Sequence, residues 1–285
     1  MARSVGPGIV IVILALAGSS LSGKLYAHPG TPVAPRGSPR IVIAQEAVER
    51  LRNLFFADDF EGGRMEGEEL VARFPESSEL RAWHLLHEAQ RWRDGDALRQ
   101  SETLAVVRPS DPWSWFALAA ALRFNHERHA ESPKISRKAL GMAGDHPDFL
   151  WLRAMVLENE QRPEDALEFV DRAIPKAFNP ANLLVVRGDA IQSVGRRGNQ
   201  APDTIALDAA LREYEKARRA DPSCVHAYTR AAEVFAYQER RPRESLPLME
   251  QALALAPCSL RVHQTFWNVM GRLPDRGEKQ KQARI

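Results

Sequence analysis

Apolar residues recur at spacings of three and four along most of this chain, and strictly alternating runs are scarce. With 3.6 residues per turn, that spacing gathers side chains on one helical face, so an all-α chain is expected. The pattern is sharpest from Ala210 to Pro257. Ala210, Tyr214 and Ala217 share one face, and Asp221-Pro222 stops that helix. A second apolar stripe follows with Tyr228, Ala231, Ala232 and Phe235. Ser245, Met249 and Ala252 then repeat the spacings of Ala210, Tyr214 and Ala217 after 35 residues, and Pro257 closes the unit.

Prolines punctuate the rest of the chain in the same way, at Pro75, Pro109, Pro147, Pro180, Pro222 and Pro257. Two of the five intervals are long, and each contains a polar, turn-rich insertion: RFNHERHAESP after Leu122 and RRGNQAPDTIA after Gly195. Other units carry Trp115, Leu118, Ala119 and Leu122; Leu150, Ala154 and Leu157, then Ala166, Val170 and Ala173; and Leu184, Gly188 and Ile191. The first unit is the weakest, with helices expected at Ala44–Ala57 and Met65–Phe74 and a turn at Phe60–Gly63.

A helix–turn–helix period near 34, with small residues at close contacts and a closing proline, resembles the tetratricopeptide repeat (TPR) family. The likeness covers roughly Ala44–Arg272, and Gly188 and Gly195 stand where the family pattern has its glycines. It implies a right-handed α-solenoid of about six helix–turn–helix repeats over residues 41–272. The unpaired Leu260–Arg272 helix would be the terminal cap such arrays need.

The chain begins with Arg3, the apolar run Ile9–Ala17 and the small residues Gly18–Gly23. That order reads as a secretory signal peptide over 1–27, with a retained anchor through residues 9–22 as the alternative. A Pro-rich linker over 28–40 follows, and 273–285 reads as a polar, basic tail. Export to the periplasm or the exterior is the expectation. The formal charge of +2 owes its sign to the leader and linker, which hold Arg3, Lys24, Arg36 and Arg40 and no acids. Removing those four from 39 Lys and Arg leaves 35 against 37 acids, a balance that gives no reason to expect nucleic acid as a partner.

Candidate chemistry is sparse. Cys224 and Cys258 hold nearly the same phase in successive units, where helix axes stand about 8–10 Å apart, so free buried thiols are expected over a disulfide. His84, His87 and Glu88 share one helix, but HLLHE matches neither zinc-hydrolase order, and His126 and His129 lack a third ligand. No nucleophile elbow, phosphate loop or dinucleotide fingerprint is present. A non-catalytic chain without metal or cofactor is the expectation.

The resemblance also implies a partner-binding groove along the first helices. Its positions carry over to Arg81, His84, Glu88, Arg91 and Trp92 in the second unit. The middle units contribute Trp113, Arg123, Trp151, Glu158, Asn159, Asn182, Asp189 and Gln192. His226, Thr229, Glu233 and Tyr237 follow, then Arg261, Gln264 and Asn268 on the cap. Trp83, Trp115 and Trp267 fall on core phases instead. Aromatic and arginine residues among shorter polar ones suit a protein or peptide partner. Asp189 and Glu233 at inner positions argue against the carboxylate clamp some family members use. Two further readings stand beside the scaffold: an accessory arm of an envelope enzyme complex, for instance with a thioredoxin-like partner, and self-association through 260–272.

Overall fold

The computed structural model describes residues 39–92, 95–196, 203–237 and 242–273. They form an all-α helical-repeat fold, with no strand among the described residues. The helices are α1 (Pro39–Phe56), α2 (Phe60–Arg73), α3 (Ser78–Trp92), α4 (Gly95–Val107), α5 (Pro112–Phe124), α6 (Ser132–Ala143) and α7 (Pro147–Asn159). They continue as α8 (Pro163–Ala173), α9 (Ala181–Val194), α10 (Thr204–Ala220), α11 (Val225–Tyr237), α12 (Ser245–Leu255) and α13 (Leu260–Arg272). Residues 1–27 and nearly all of 28–40 and 273–285, on which the leader, linker and tail readings rest, lie outside the described residues.

Local chemistry sets the helix boundaries. Asp59, Asp111, Asp203 and Ser259 cap α2, α5, α10 and α13 by accepting from backbone N–H groups of the first turn. Prolines open α5, α7 and α8, where a missing N–H costs nothing. Gly144 ends α6 at φ 62, a left-handed conformation that suits glycine. The long insertion after Leu122 becomes the Asn125–Arg128 turn and a single 3-10 turn, His129–Glu131.

Packing follows the repeat. Each even-numbered helix from α4 onward lies against its predecessor and its successor, and first helices touch first helices, α3 with α5, α9 with α11 and α11 with α13. The expected seam residues Leu150, Ala154, Leu157, Ala166, Val170, Ala173, Ala210, Tyr214, Ala217, Met249 and Ala252 are buried. Helix α9 joins two large apolar clusters, giving Leu183 and Val186 to one and Ala181 and Val185 to the other. The close approaches need small residues: a Cβ on Gly188 would lie 2.4 Å from the Tyr214 ring, and one on Gly195 2.2 Å from Ala206.

Two expectations are corrected. Phe60–Gly63 is no turn; it is the first turn of α2. Gly63 and Gly67 sit in that helix because the His87 and His84 rings of α3 occupy the space a Cβ would need, at 2.3 Å in each case. Trp267 is not core, being 60% exposed on α13, which has no following helix among the described residues to cover that face.

Candidate functional site

Helix α1 departs from the repeat. Its last turns, Leu51–Phe56, and the residues to Asp58 lie against the inner faces of first helices far along the chain. Phe55 packs edge-on to Trp83 and Trp151 at 5.7 Å and to His87 at 5.6 Å, and Phe56 to Trp151 at 5.4 Å. Phe56 also stacks on His226 of α11 at 5.8 Å. Arg52 pairs with Asp148 of α7 at 2.6 Å and stands over the Trp83 ring. The Asn182 amide of α9 donates to Asn53 at 3.2 Å. Asp58, at φ 51, pairs with Arg261 of α13 and accepts from Gln90 of α3. The Ser259 hydroxyl donates to the Ala57 carbonyl at 2.5 Å.

Electrostatics at this seat follow from burial. His87 Nε2 lies 2.8 Å from the Leu51 carbonyl, which can only accept, so Nε2 carries the proton. Burial lowers its pKa to about 4, leaving a neutral ring. His226 is driven well below the usual range by burial, with Arg230 and Arg261 adding to it. Glu79, sharing Arg52 with Asp148 and Glu49, is pushed up to about 7 by burial first and then by Asp148. Asp58 is raised by burial, which Arg261 opposes.

Beside Phe55 and Phe56 the inner face holds a cavity of about 1320 Å³ between α5, α7, α9, α11 and α13. Apolar wall comes from Phe56, Phe124, Met155, Val186 and Leu207. Most of its charges are already matched. Arg230 bridges Asp189 at 2.7 Å and Glu233 at 2.8 Å. Asp189 in turn accepts from the Tyr214 hydroxyl, and that hydroxyl accepts from the Gln192 amide. Arg123 differs. It stacks over Phe124 at 4.8 Å and donates to the Met155 carbonyl, with no carboxylate in ion-pair contact among the described residues. Burial pulls its pKa down to about 10, against the attraction of Glu158. Glu158 is raised by burial, and the Ser193 hydroxyl hydrogen-bonds to it.

The structure gathers Arg123, Glu158, Asp189, Gln192, His226, Glu233 and Arg261 around this cavity. It disperses the rest. His84 faces α2 at Gly67, and Arg81 donates to the Pro75 carbonyl. Glu88 is half-buried on α3, and Trp113 packs on Phe116, Phe149 and His146. Trp151 is 2% exposed beneath α1, and Asn182 is buried between Asn53 and Cys224. Thr229 is buried and bonds its own helix, and Asn159, Gln264 and Asn268 are exposed away from the cavity lining. The side chains of Arg91, Trp92 and Tyr237 lie outside the described residues. Sequence reasoning missed Phe55, Phe56, Asp58 and Arg230. The adjacent aromatics ending an amphipathic helix were the available signal.

Comparison with known proteins bears on the fold. No protein-family model and no curated protein matches the sequence. Among solved structures the chain is similar to a thermophilic TPR protein of Thermus thermophilus, at 15% identity over 67% of this chain and 98% of that one, TM-score 0.51. It is also similar to YrrB, described as a TPR protein with an unusual peptide-binding site, at 18% identity over 70% and 96%, TM-score 0.41. MamA follows at 16% identity over 56% and 87%, TM-score 0.42. The first of these likenesses supports a TPR-like helical-repeat fold.

Proposed function

We propose that this chain is an exported, non-catalytic scaffold that holds a protein or peptide partner in the cavity on its inner face. The observation that carries the reading is that cavity. Apolar wall alternates there with fixed charges, and Arg123 is desolvated without a carboxylate partner among the described residues. An extended or helical segment with apolar side chains and an acid satisfies both features, since hot-spot energy concentrates in such desolvated aromatic and arginine contacts. Export rests on the leader-like residues 1–27 and a mature chain from about residue 28.

The test is a crosslinking capture with residues 28–285 as bait against the native cell-envelope fraction, beside an Arg123→Ala/Glu158→Ala variant. The expected result is a discrete protein held by the wild type and lost with the variant at unchanged helicity. Equal capture by both would refute the cavity as the site. Mass measurement of the chain recovered from the envelope, short of its first residues, checks export.

A second reading, self-association, is favoured by Leu260 and Trp267, 57% and 60% exposed and two turns apart on α13. Light scattering that shows mass rising with concentration, abolished by Trp267→Ser, would support it instead.

A further inference from the structure

Residues 51–58 behave as a ligand of the inner face, though they belong to the same chain. Their partners come from five other helices: Trp83 and His87, Asp148 and Trp151, Asn182, His226, and Ser259 with Arg261. The pattern presented is compact, with Arg52, aromatics three and four residues on, and Asp58 six residues on. A helix end brings these onto one side, and the left-handed Asp58 turns the acid toward Arg261.

The fit is incomplete in a way that points to exchange. Two polar atoms of the inner face at this seat, Trp151 Nε1 and His226 Nδ1, are buried with no hydrogen-bond partner among the described residues, as is Nε of Arg52 on the segment itself. Glu79 and Asp148 of the inner face share the single guanidinium of Arg52, which Glu49 of α1 also engages, so acid outnumbers base there. A segment offering a second basic side chain, and an acceptor to the Trp151 indole, satisfies what α1 leaves open.

We infer that the inner face is a receptor for a helix end of the pattern basic–x–x–aromatic–aromatic–x–acid, and that a partner segment carrying it displaces residues 51–58. This deepens the scaffold reading and rests on it, naming the partner's chemistry. In the closed state α1 occupies the seat at an effective concentration on the order of millimolar, as tethered ligands do. Partners are admitted only above that threshold.

The test uses a fluorescently labelled peptide of Glu46–Asp59 added in trans to the full chain, with binding read by anisotropy. Wild type takes it up weakly. Phe55→Ala/Phe56→Ala, which weakens the tethered copy and leaves the residues beneath it unchanged, should bind it roughly tenfold tighter or more. A peptide lacking both phenylalanines should not bind. If the double variant loses helicity, Asp58→Asn keeps the aromatics and should shift affinity in the same direction. Amide exchange at residues 54–59 of the wild type should also quicken on adding peptide. A folded variant that binds no tighter than wild type, or exchange unmoved by peptide, overturns the inference and makes 51–58 fixed core. A wild type that dimerises and is released by peptide overturns the partner assignment in favour of a second copy. Arg123 and Glu158 are untouched throughout, so failure here leaves the cavity test standing.

Discussion

Trp151→Ala separates a core tryptophan from a ligand-contacting one. The indole is 2% exposed and touches Trp83 at 5.4 Å, Phe56 at 5.4 Å, Phe55 at 5.7 Å and Phe116 at 6.3 Å between centroids. Truncating a buried aromatic to alanine costs about 3–5 kcal/mol, and rigid neighbours on four sides put this site at the upper end. Each lost aromatic pair adds about 0.5–1.5 kcal/mol that area alone does not count. Trp151→Phe behaves differently. It keeps a ring in the cluster and removes the indole N–H, which has no partner among the described residues. Relief of a buried unpaired donor, about 1–3 kcal/mol, offsets the smaller cavity, so the net change is within about 1 kcal/mol. Urea unfolding followed by far-UV circular dichroism reads both variants against wild type, as shifts in midpoint at constant slope. An alanine variant within about 0.5 kcal/mol of wild type would refute the buried cluster and restore Trp151 to an open groove.

Four further outcomes are expected. Gly188→Ala forces a Cβ onto Tyr214, whose hydroxyl is pinned by Asp189 and Gln192, and should cost about 1–3 kcal/mol in thermal melts. Gly141→Ala, with open space around it on α6, should gain up to about 1 kcal/mol. Glu79, raised from 4.5 to about 7, contributes stability that is complete below about pH 4.5 and lost as pH rises through about 7. Its loss is worth roughly 2–3 kcal/mol, so urea midpoints should fall for wild type relative to Glu79→Gln between pH 5 and 8. His87 and His226, depressed by burial, act in the opposite sense and are shared by both proteins. Cys258 is exposed, where the sequence phase predicts a buried thiol, and Cys224 is buried with its thiol pushed to about 12, so the first should react with a disulfide reagent at neutral pH and the second only in denaturant.

The repeat was legible because its signals are local. Proline stops, aspartate caps and three-four spacing each act within a turn or two, and they specify helices α3 to α13 and their buried seams. What α1 does was not legible. The turn that ends it is bonded across 202 residues, and no periodicity reports a contact of that range. Trp151 does face inward as its phase implied, but residues 55 and 56 cover it. Gly62 and Gly63 read as a turn because glycine disfavours helix; the cap at Asp59 and the incoming His87 ring outweigh that propensity. Trp267 read as core because inner repeats cover that phase with the next helix, and α13 has no following helix among the described residues.

The bond from Ser259 to Ala57 also has a consequence in time. A repeat array can condense unit by unit as it leaves the ribosome, each needing only its neighbour. Residues 55–58 cannot. Their seat is finished by a helix made about 200 residues later, which at ordinary synthesis rates is roughly 10–40 seconds. For that interval two adjacent phenylalanines stand without their final cover. Whatever escorts this protein through synthesis has to shield the pair Phe55-Phe56 until α13 has been made.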